Sequence, residues 1–562
     1  MTAVSSYLQV QQVNCFYNYT VGLDVTHVDL LKTSAALLKS GIVRTVCFSD
    51  LKAVYLDDQG DIQLEWLRPQ GRRWDNRWAV AFTESLPEHT TEDLILCLEL
   101  SFHEQRIEGE EARQISPYLR AALPPVVLEN DNLALPVYPW LKLHADGLMS
   151  ISFQLDTTWA NLEEEDFIRD IVNLFQRYFK CVWMQATVQR IDGEKLLLDA
   201  FKGEISIGGQ GVADRRSRNL IKKMRRTARS TLDDSLSKEG RCFDLHGESW
   251  RLHQIAGSEN EEEWEGTIDL CRSIYANVVA SKIVSKNDRK NGRGVGIQLW
   301  QGRPSISLMR FADQPQSKEQ LFSRYGQSMS RILSRSAGME NPPQLPADLR
   351  PFTDYSLHGN RAILLWTWLR PHDAPDNAWE DPNTRAALLE NQARAEHFEY
   401  HNMRIARACA LAGAPPTDEH LAYAYETLAN ADTVIHQASQ AGEITDALEN
   451  LMAAAGTIGL IESGKEQARW HLDKRRYTAE KRRSRVDRWL AAVFGIVGAA
   501  GLADLVVRPF LQSTYPDWAE WLTGLAAFAL ASSVLVLLAI FIAVVINPAI
   551  KKICYVGNMK RD

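Results

Sequence analysis

The eight cysteines of this chain never come in close pairs: Cys15, Cys47, Cys97, Cys181, Cys242, Cys271, Cys409 and Cys554 are scattered singly. That spacing excludes a zinc ribbon and a disulfide framework and fits a reducing cytosol. The N-terminal stretch MTAVSSYLQVQQVNCFYN has no basic region leading into an apolar run, so no signal peptide is read there. A GxSxG elbow, a GxxxxGK[ST] phosphate loop, a Rossmann GxGxxG and a Cys–His signature are all missing. No enzyme and no resident cofactor are expected. Acids outnumber bases, 71 to 63, and the net charge of −8 argues against DNA as a partner. No internal repeat or low-complexity tract is present.

At 562 residues the chain is too long for one core. Two apolar segments stand out near its C-terminal end. Trp489 to Val507 offers about 19 residues and Trp521 to Ile546 about 26, against the roughly 20 that a helix needs to cross a bilayer core. The linker between them, RPFLQSTYPDWAE, carries Phe510, Tyr515 and Trp518, ring types that favour the membrane interface. Lys474, Arg475, Arg476, Lys481, Arg482, Arg483, Arg485 and Arg488 precede the first segment. Lys551, Lys552, Lys560 and Arg561 follow the second. Excess positive charge stays on the cytoplasmic side. A protein of the cell's inner (plasma) membrane is therefore expected, both termini cytoplasmic and the residues before the hairpin in the cytosol.

The first apolar segment contains Gly495, Gly498 and Gly501, a surface on which helices can approach closely. Phe494, Val497, Gly501 and Asp504 fall along one side of it at helical spacing. A carboxylate facing lipid is costly, so Asp504 is expected to face protein or water. It either pairs with Arg508, four residues on, or forms a ring at the outer mouth of an oligomeric pore. Phe494 and Val497 would then be an apolar constriction below that ring. One hairpin cannot enclose a pore, so the second reading requires an oligomer.

Upstream, Glu443 to Arg488 lacks proline and is rich in helix formers. Continued to Val507 it would be one helix of about 65 residues and about 100 Å. A helix over about Asn383–Leu411, closed by GAPP at 413–416, and another from Thr417 to near Gly442 come before it. A mostly cytosolic chain, a long helix entering the membrane, a short outer loop, a second membrane helix and a basic tail: this layout resembles the CorA family of divalent-cation channels. The resemblance covers about Asn383 to Asp562 and implies a funnel-shaped homo-oligomer, a pentamer, lined by the first membrane helix. It also implies a divalent cation such as magnesium as the transported or regulatory ion. Where that family carries Gly-Met-Asn at the end of the first membrane helix, this chain reads VVRPFLQSTYPDW; a GNM triplet occurs only at 557–559, in the tail. Asp504, Asp517 and Glu520 are the acids that stand in its place as outer-loop selectivity residues.

The part before residue 345 reads as a mixed α/β or α+β head. GIVRTVCFSDLKAVYLDDQGDIQLEWLR (41–68), LMSISFQLD (148–156), KCVWMQATVQRIDGEKLLLDAF (180–201), VGIQLWQGRPSISLMRF (295–311) and RAILLWTWLR (361–370) are strand-like. LDDQGDIQ and QRIDGEK read as hairpin turns. Helices are expected over Glu164–Tyr178 and Glu263–Ala280. A meeting of two subdomains near residue 160 and a boundary at NPPQLPADLRP near 345 are expected as well.

In GGQGVADRRSRNLIKKMRRTARS, Gly208, Gly209 and Gly211 precede a helix carrying Arg215, Arg216, Arg218, Lys222, Lys223, Arg225, Arg226 and Arg229. A glycine turn at a helix N-terminus among guanidinium groups suits a phosphate or nucleotide ligand; a solvated basic face is the plainer reading. HFEYH puts His397 and His401 on one helical face without the zincin glutamate position, and two surface histidines are expected there.

Three readings of function follow. The first is a CorA-like oligomeric channel for divalent cations, gated by a cytosolic head. The second is a membrane effector of antiviral defence whose head binds a nucleotide-type ligand and opens a pore. The third is a non-conducting scaffold tethered to the bilayer by its hairpin.

Overall fold

The computed structural model describes residues 8–57, 59–66, 68–70, 79–81, 88–108, 115–130, 133–155, 161–176, 179, 181–186, 188, 236–256, 268–285, 295–369, 381–439 and 441–541. The chain divides into two compact units, Met1–Arg469 and Trp470–Asp562.

The strands are β1 (Gln9–Leu23), β2 (Thr45–Phe48), β3 (Lys52–Leu56), β4 (Ile62–Trp66), β5 (Arg68–Gln70), β6 (Ala79–Ala81), β7 (Tyr118–Ala122), β8 (Val126–Asn130) and β9 (Leu133–His144). They continue as β10 (Leu148–Leu155), β11 (Leu162–Glu163), β12 (Cys181–Met184), β13 (Leu236–Leu245), β14 (Glu248–Ala256), β15 (Ile297–Phe311), β16 (Tyr355–Gly359) and β17 (Leu364–Trp368). The helices are α1 (Leu30–Lys39), α2 (Glu88–Glu108), α3 (Glu164–Phe167), α4 (Ile268–Lys282), α5 (Lys318–Ser334), α6 (Pro382–Gly413), α7 (Asp418–Ala429) and α8 (Ala431–His436). After them come α9 (Gly442–Ala454), α10 (Ile458–Leu502), α11 (Arg508–Thr514) and α12 (Glu520–Phe541).

One mixed sheet organises the first unit, with its main path in the order β13-β14-β12-β8-β9-β10-β1-β15-β17-β16. Neighbours on that path are antiparallel except β15 and β17, which run parallel. Alternation along the strands sorts the sheet into two faces. Val13, Cys15, Tyr17, Tyr19 and Val21 of β1, with Met149, Ile151 and Phe153 of β10, enter the main apolar core. Leu37 of α1, Tyr275 of α4 and Met329 of α5 close that side. The residues between them are Asn14, Asn18 and Thr20 on β1 and Ser150, Ser152 and Gln154 on β10, and they are also buried. Helix α6 covers them, packing against β1, β10 and β15. It begins cleanly: Asp381 caps it, accepting from the Thr384 amide at 2.8 Å, and Pro382 fills the first turn, where no amide partner is needed.

Several sequence expectations hold. The hairpin at LDDQGDIQ is β3–β4, with Asp57 accepting from the amides of Gln59 and Asp61 at 3.0 and 2.8 Å. The strands expected around 148–156, 295–311 and 361–370 are β10, β15 and β17. The QRIDGEK turn lies outside the described residues. The boundary expectations fail: pairing crosses residue 160, and β16 and β17 beyond the proline cluster join the same sheet through β15. The proline run is a packed connection, with the Leu349 amide bonded to the Leu357 carbonyl at 2.8 Å. The helix expected over Glu164–Tyr178 is only α3, followed by a π-helical turn at Ile168–Val172 and a 3-10 turn at Leu174–Gln176. Ile168, Ile171 and Val172 are all buried there, so packing overrides a regular α-helical spacing.

The long stalk helix is also broken. Gly456 takes φ +80°, a left-handed conformation that ends α9, and the helix restarts at Ile458 as α10. Beyond Leu502 the chain keeps turning, through a π-helical turn at Ala503–Val507 into α11, so the stretch expected as outer loop is helical to Thr514. Pro509 has no amide and crowds the carbonyl four residues before it; the widened turn sits where that strain falls. In the second unit, α12 packs on this turn through Ala503, Leu511, Ala527 and Ala531.

Gly147 shows how tightly the turn between β9 and β10 is held. Its φ is +84°, and a Cβ there would lie 2.2 Å from the Val25 carbonyl oxygen. We expect Gly147→Ala to destabilise the protein by about 2–3 kcal/mol, combining left-handed strain with a backbone clash. The check is the denaturation midpoint of the purified variant against the parent.

Candidate functional site

Phe494 and Val497 stand on α10 with Gly501, and Asp504 opens the π-helical turn beyond it. Phe494, Val497 and Asp504 are 70%, 62% and 74% exposed, so nothing among the described residues covers this side. A Cβ added at Gly495, Gly498 or Gly501 would meet no atom within 4 Å. The close helix contact inside the hairpin runs through alanines instead, and the glycine surface is left open. Arg508 sits between two acids. Its Nη1 donates to Asp504 Oδ1 at 3.3 Å and its Nη2 to Glu520 Oε1 at 3.0 Å. Two carboxylates thus share one guanidinium at this end of the hairpin, and Asp517 is a third acid nearby in sequence. Tyr515 and Trp518 stack at 4.9 Å beside them. The residues expected to hold a phosphate or nucleotide, Gly208, Gly209, Gly211, Arg215, Arg216, Arg218, Lys222 and Lys223, lie outside the described residues, as does the basic tail from 542 on.

The two histidines of HFEYH are not on the surface. His397 and His401 are fully buried, ring centroids 4.7 Å apart. The expectation of surface histidines failed because α6 is buried on every side from Asn391 to Met403, so its polar residues have no solvent-facing side there. Burial holds the His397 imidazole down at about 4 and keeps His144 and His401 well below the usual histidine range. Among the described residues, no group of three or more His, Cys, Asp or Glu side chains is placed to hold a metal ion.

Around these histidines lies a buried ion cluster that no motif signals. Arg120 on β7 and Lys142 on β9 are directly opposite each other in the sheet. Two like charges so placed repel, and here they are also out of water. Acids from both covering helices neutralise them. Glu104 of α2 accepts from Lys142 Nζ and from Arg120 Nη2 at 3.0 Å; Glu396 Oε2 of α6 lies 2.7 Å from Arg120 Nη2. All four side chains are at most 3% exposed. Burial alone would raise the Glu104 carboxyl; the Lys142 and Arg120 charges outweigh it and hold it well below the usual carboxylate range. Gln392 Nε2 extends the network to Asn18 at 2.8 Å and Ser152 at 3.0 Å. Further along α6, Glu399 pairs with Arg303 of β15 at 2.5 Å. The only sequence trace of this layer is the polar half of each strand's alternation, which reads equally well as a solvated face.

Taken together, these elements define a mixed α/β sheet domain followed by helices, with two C-terminal helices long and apolar enough to cross a membrane. Comparison with known proteins returns no matching family model, no matching curated protein and no matching solved structure.

Glu104→Gln removes a charge that two buried bases need. We expect a loss of about 3–5 kcal/mol, read as a lower denaturation midpoint of the detergent-solubilised protein. The buried histidines set a pH window. In the unfolded chain a histidine takes up its proton at about 6.5, whereas folded His397 does so only at about 4. The unfolded state therefore binds more protons between those values, and stability should fall as pH drops from about 6.5 towards 4. Melting curves from pH 8 to 5 check it; His397→Gln should flatten the slope.

Proposed function

We propose that this chain is the subunit of a CorA-like, homo-oligomeric cation channel of the cell's inner membrane, with the sheet domain in the cytosol controlling the pore. The observation that carries the reading is the side of α10 bearing Phe494, Val497, Gly501 and Asp504. A pore-lining surface must be bare in the single subunit, and this one is. Asp504, Asp517 and Glu520 with Arg508 sum to a net charge of −2 per chain at the end of the hairpin. Copies arranged around an axis would concentrate that charge into a ring that favours cations, divalent ones most, with Phe494 and Val497 as an apolar constriction. The open Gly495–Gly498–Gly501 surface lets neighbouring helices approach closely. A pentamer with both termini in the cytoplasm satisfies the resemblance and the charge distribution together.

The pairing of Arg508 with both Asp504 and Glu520 supports the non-conducting scaffold instead, because it gives Asp504 a structural partner. One experiment separates them. The mass of the detergent-solubilised complex is measured first, then divalent-cation flux into liposomes from the same sample. A pentamer that conducts, with Asp504→Asn lowering flux at least tenfold, is the expected result. A complex of any size with no flux would overturn the pore and leave the scaffold; flux unchanged in Asp504→Asn would overturn the Asp504 ring.

A further inference from the structure

The sheet domain contains a cleft of about 610 Å³, within the size range of small-molecule sites. Its floor is the polar side of the sheet at Tyr138, Trp140 and Gln154, the side on which α2 and α6 pack. One wall is α2 with Glu92 and Asp93; the other is the β13–β14 hairpin with His246, Glu248 and Trp250. Arg44, just before β2, and Arg385 of α6 complete the charged lining.

The aromatic rings are held in place. Trp140 Nε1 donates to Gln154 Oε1 at 3.1 Å, and His246 meets the edge of Tyr138 with centroids 4.4 Å apart. His246 takes φ +53°, an uncommon conformation for this residue, and that conformation belongs to the tight turn that presents it. The cleft already contains one guanidinium. Arg44 lies over the Trp250 ring at 4.6 Å and pairs with Glu248 at 2.6 Å. Arg385 is committed to Glu99, outside the lining, at 2.8 Å. That accounts for both bases. Among the described residues no base lies within ion-pair distance of Glu92 or Asp93.

We propose that this cleft binds a small organic cation, a guanidinium or protonated amine, with Asp93 as its ion-pair partner and Tyr138 and Trp140 as the aromatic surface beneath it. The cleft's uncommitted charge is negative, its floor is aromatic at Tyr138 and Trp140, and a cation satisfies both at once. The Arg44–Trp250–Glu248 arrangement is the protein's own example of the same recognition. Asp93 is half-buried, and its carboxyl is pushed up to about 6, first by desolvation, with Glu248 and Glu92 adding to the rise and Arg44 opposing it. A carboxylate in that setting gains most from an added positive partner. The groups facing it are Glu92 on its own helix, Arg44 before β2, Glu248 of β14, His246 of the turn and Arg385 of α6. None supplies that partner.

The test is calorimetric titration of the full chain in detergent with agmatine, which carries a guanidinium and an ammonium, and separately with AMP as an anionic planar ligand. Binding of agmatine at pH 7.5 is expected, weakened at least tenfold in Asp93→Asn and weakened in the parent at pH 5.5, where Asp93 takes up a proton. Asp93→Asn is nearly isosteric; an unchanged melting midpoint shows that it folds, and Trp140→Leu serves as the second variant. No heat with millimolar agmatine, equal binding in Asp93→Asn, or binding of AMP alone would overturn the assignment. Flux plays no part in the measurement, so its outcome stands apart from that of the pore.

Discussion

Two positive charges, on Arg120 and Lys142, stand side by side in the middle of a sheet with no access to water. Everything stacked on that face follows from the need to neutralise them. Helix α2 is held down by Glu104 and helix α6 by Glu396, and the two helices pack on each other as well as on the strands. An apolar interface of the same area would tolerate sliding, because the hydrophobic effect has no direction. Charge-assisted hydrogen bonds do have direction, and a set of four buried ions fixes the register of both helices on the sheet. The Gln392 bonds to Asn18 and Ser152 add to the same registration.

The two faces of the sheet thus divide the labour. The side packed by α1, α4 and α5 supplies the bulk of the apolar burial that stabilises the domain. The side under α2 and α6 contributes specificity, and its neutral histidines and unscreened ions make it sensitive to acid. Antiparallel sheets commonly leave one face to solvent, and the polar alternation of β1, β9 and β10 is what such a face looks like. Here the same pattern is buried beneath a helix whose inner side is equally polar.

That reversal explains what could and could not be read from the residues alone. The two C-terminal helices long and apolar enough to cross a membrane were legible, because runs of about 20 apolar residues stand out from the rest of the chain. The strands of β3–β4, β10, β15 and β17 were legible from alternation and turn chemistry. His397 and His401 were misplaced because α6 is buried on every side where they stand, and a helix that carries this much His, Glu, Gln and Arg reads as partly solvated. The subdomain boundaries failed for a different reason. Prolines report that a helix or strand stops, not that packing stops, and the chain after 345 returns to pair with β15. The ion cluster had no local trace at all, since its members come from four elements spread over nearly 300 residues.

The placement of β1 has a consequence for the newborn chain. This first strand lies inside the sheet between β10 and β15, with Tyr19 opposite Ile151 and Cys15 opposite Ile306. At about 5–20 residues per second on the ribosome, β10 follows β1 by roughly 7–30 s and β15 by roughly 15–60 s. For that interval one long edge of the growing sheet is open, and Arg120 and Lys142 wait roughly 13–55 s for Glu396. The apolar hairpin leaves the ribosome only after all of these partners have been made. The sheet domain can therefore close before the two apolar C-terminal helices are made.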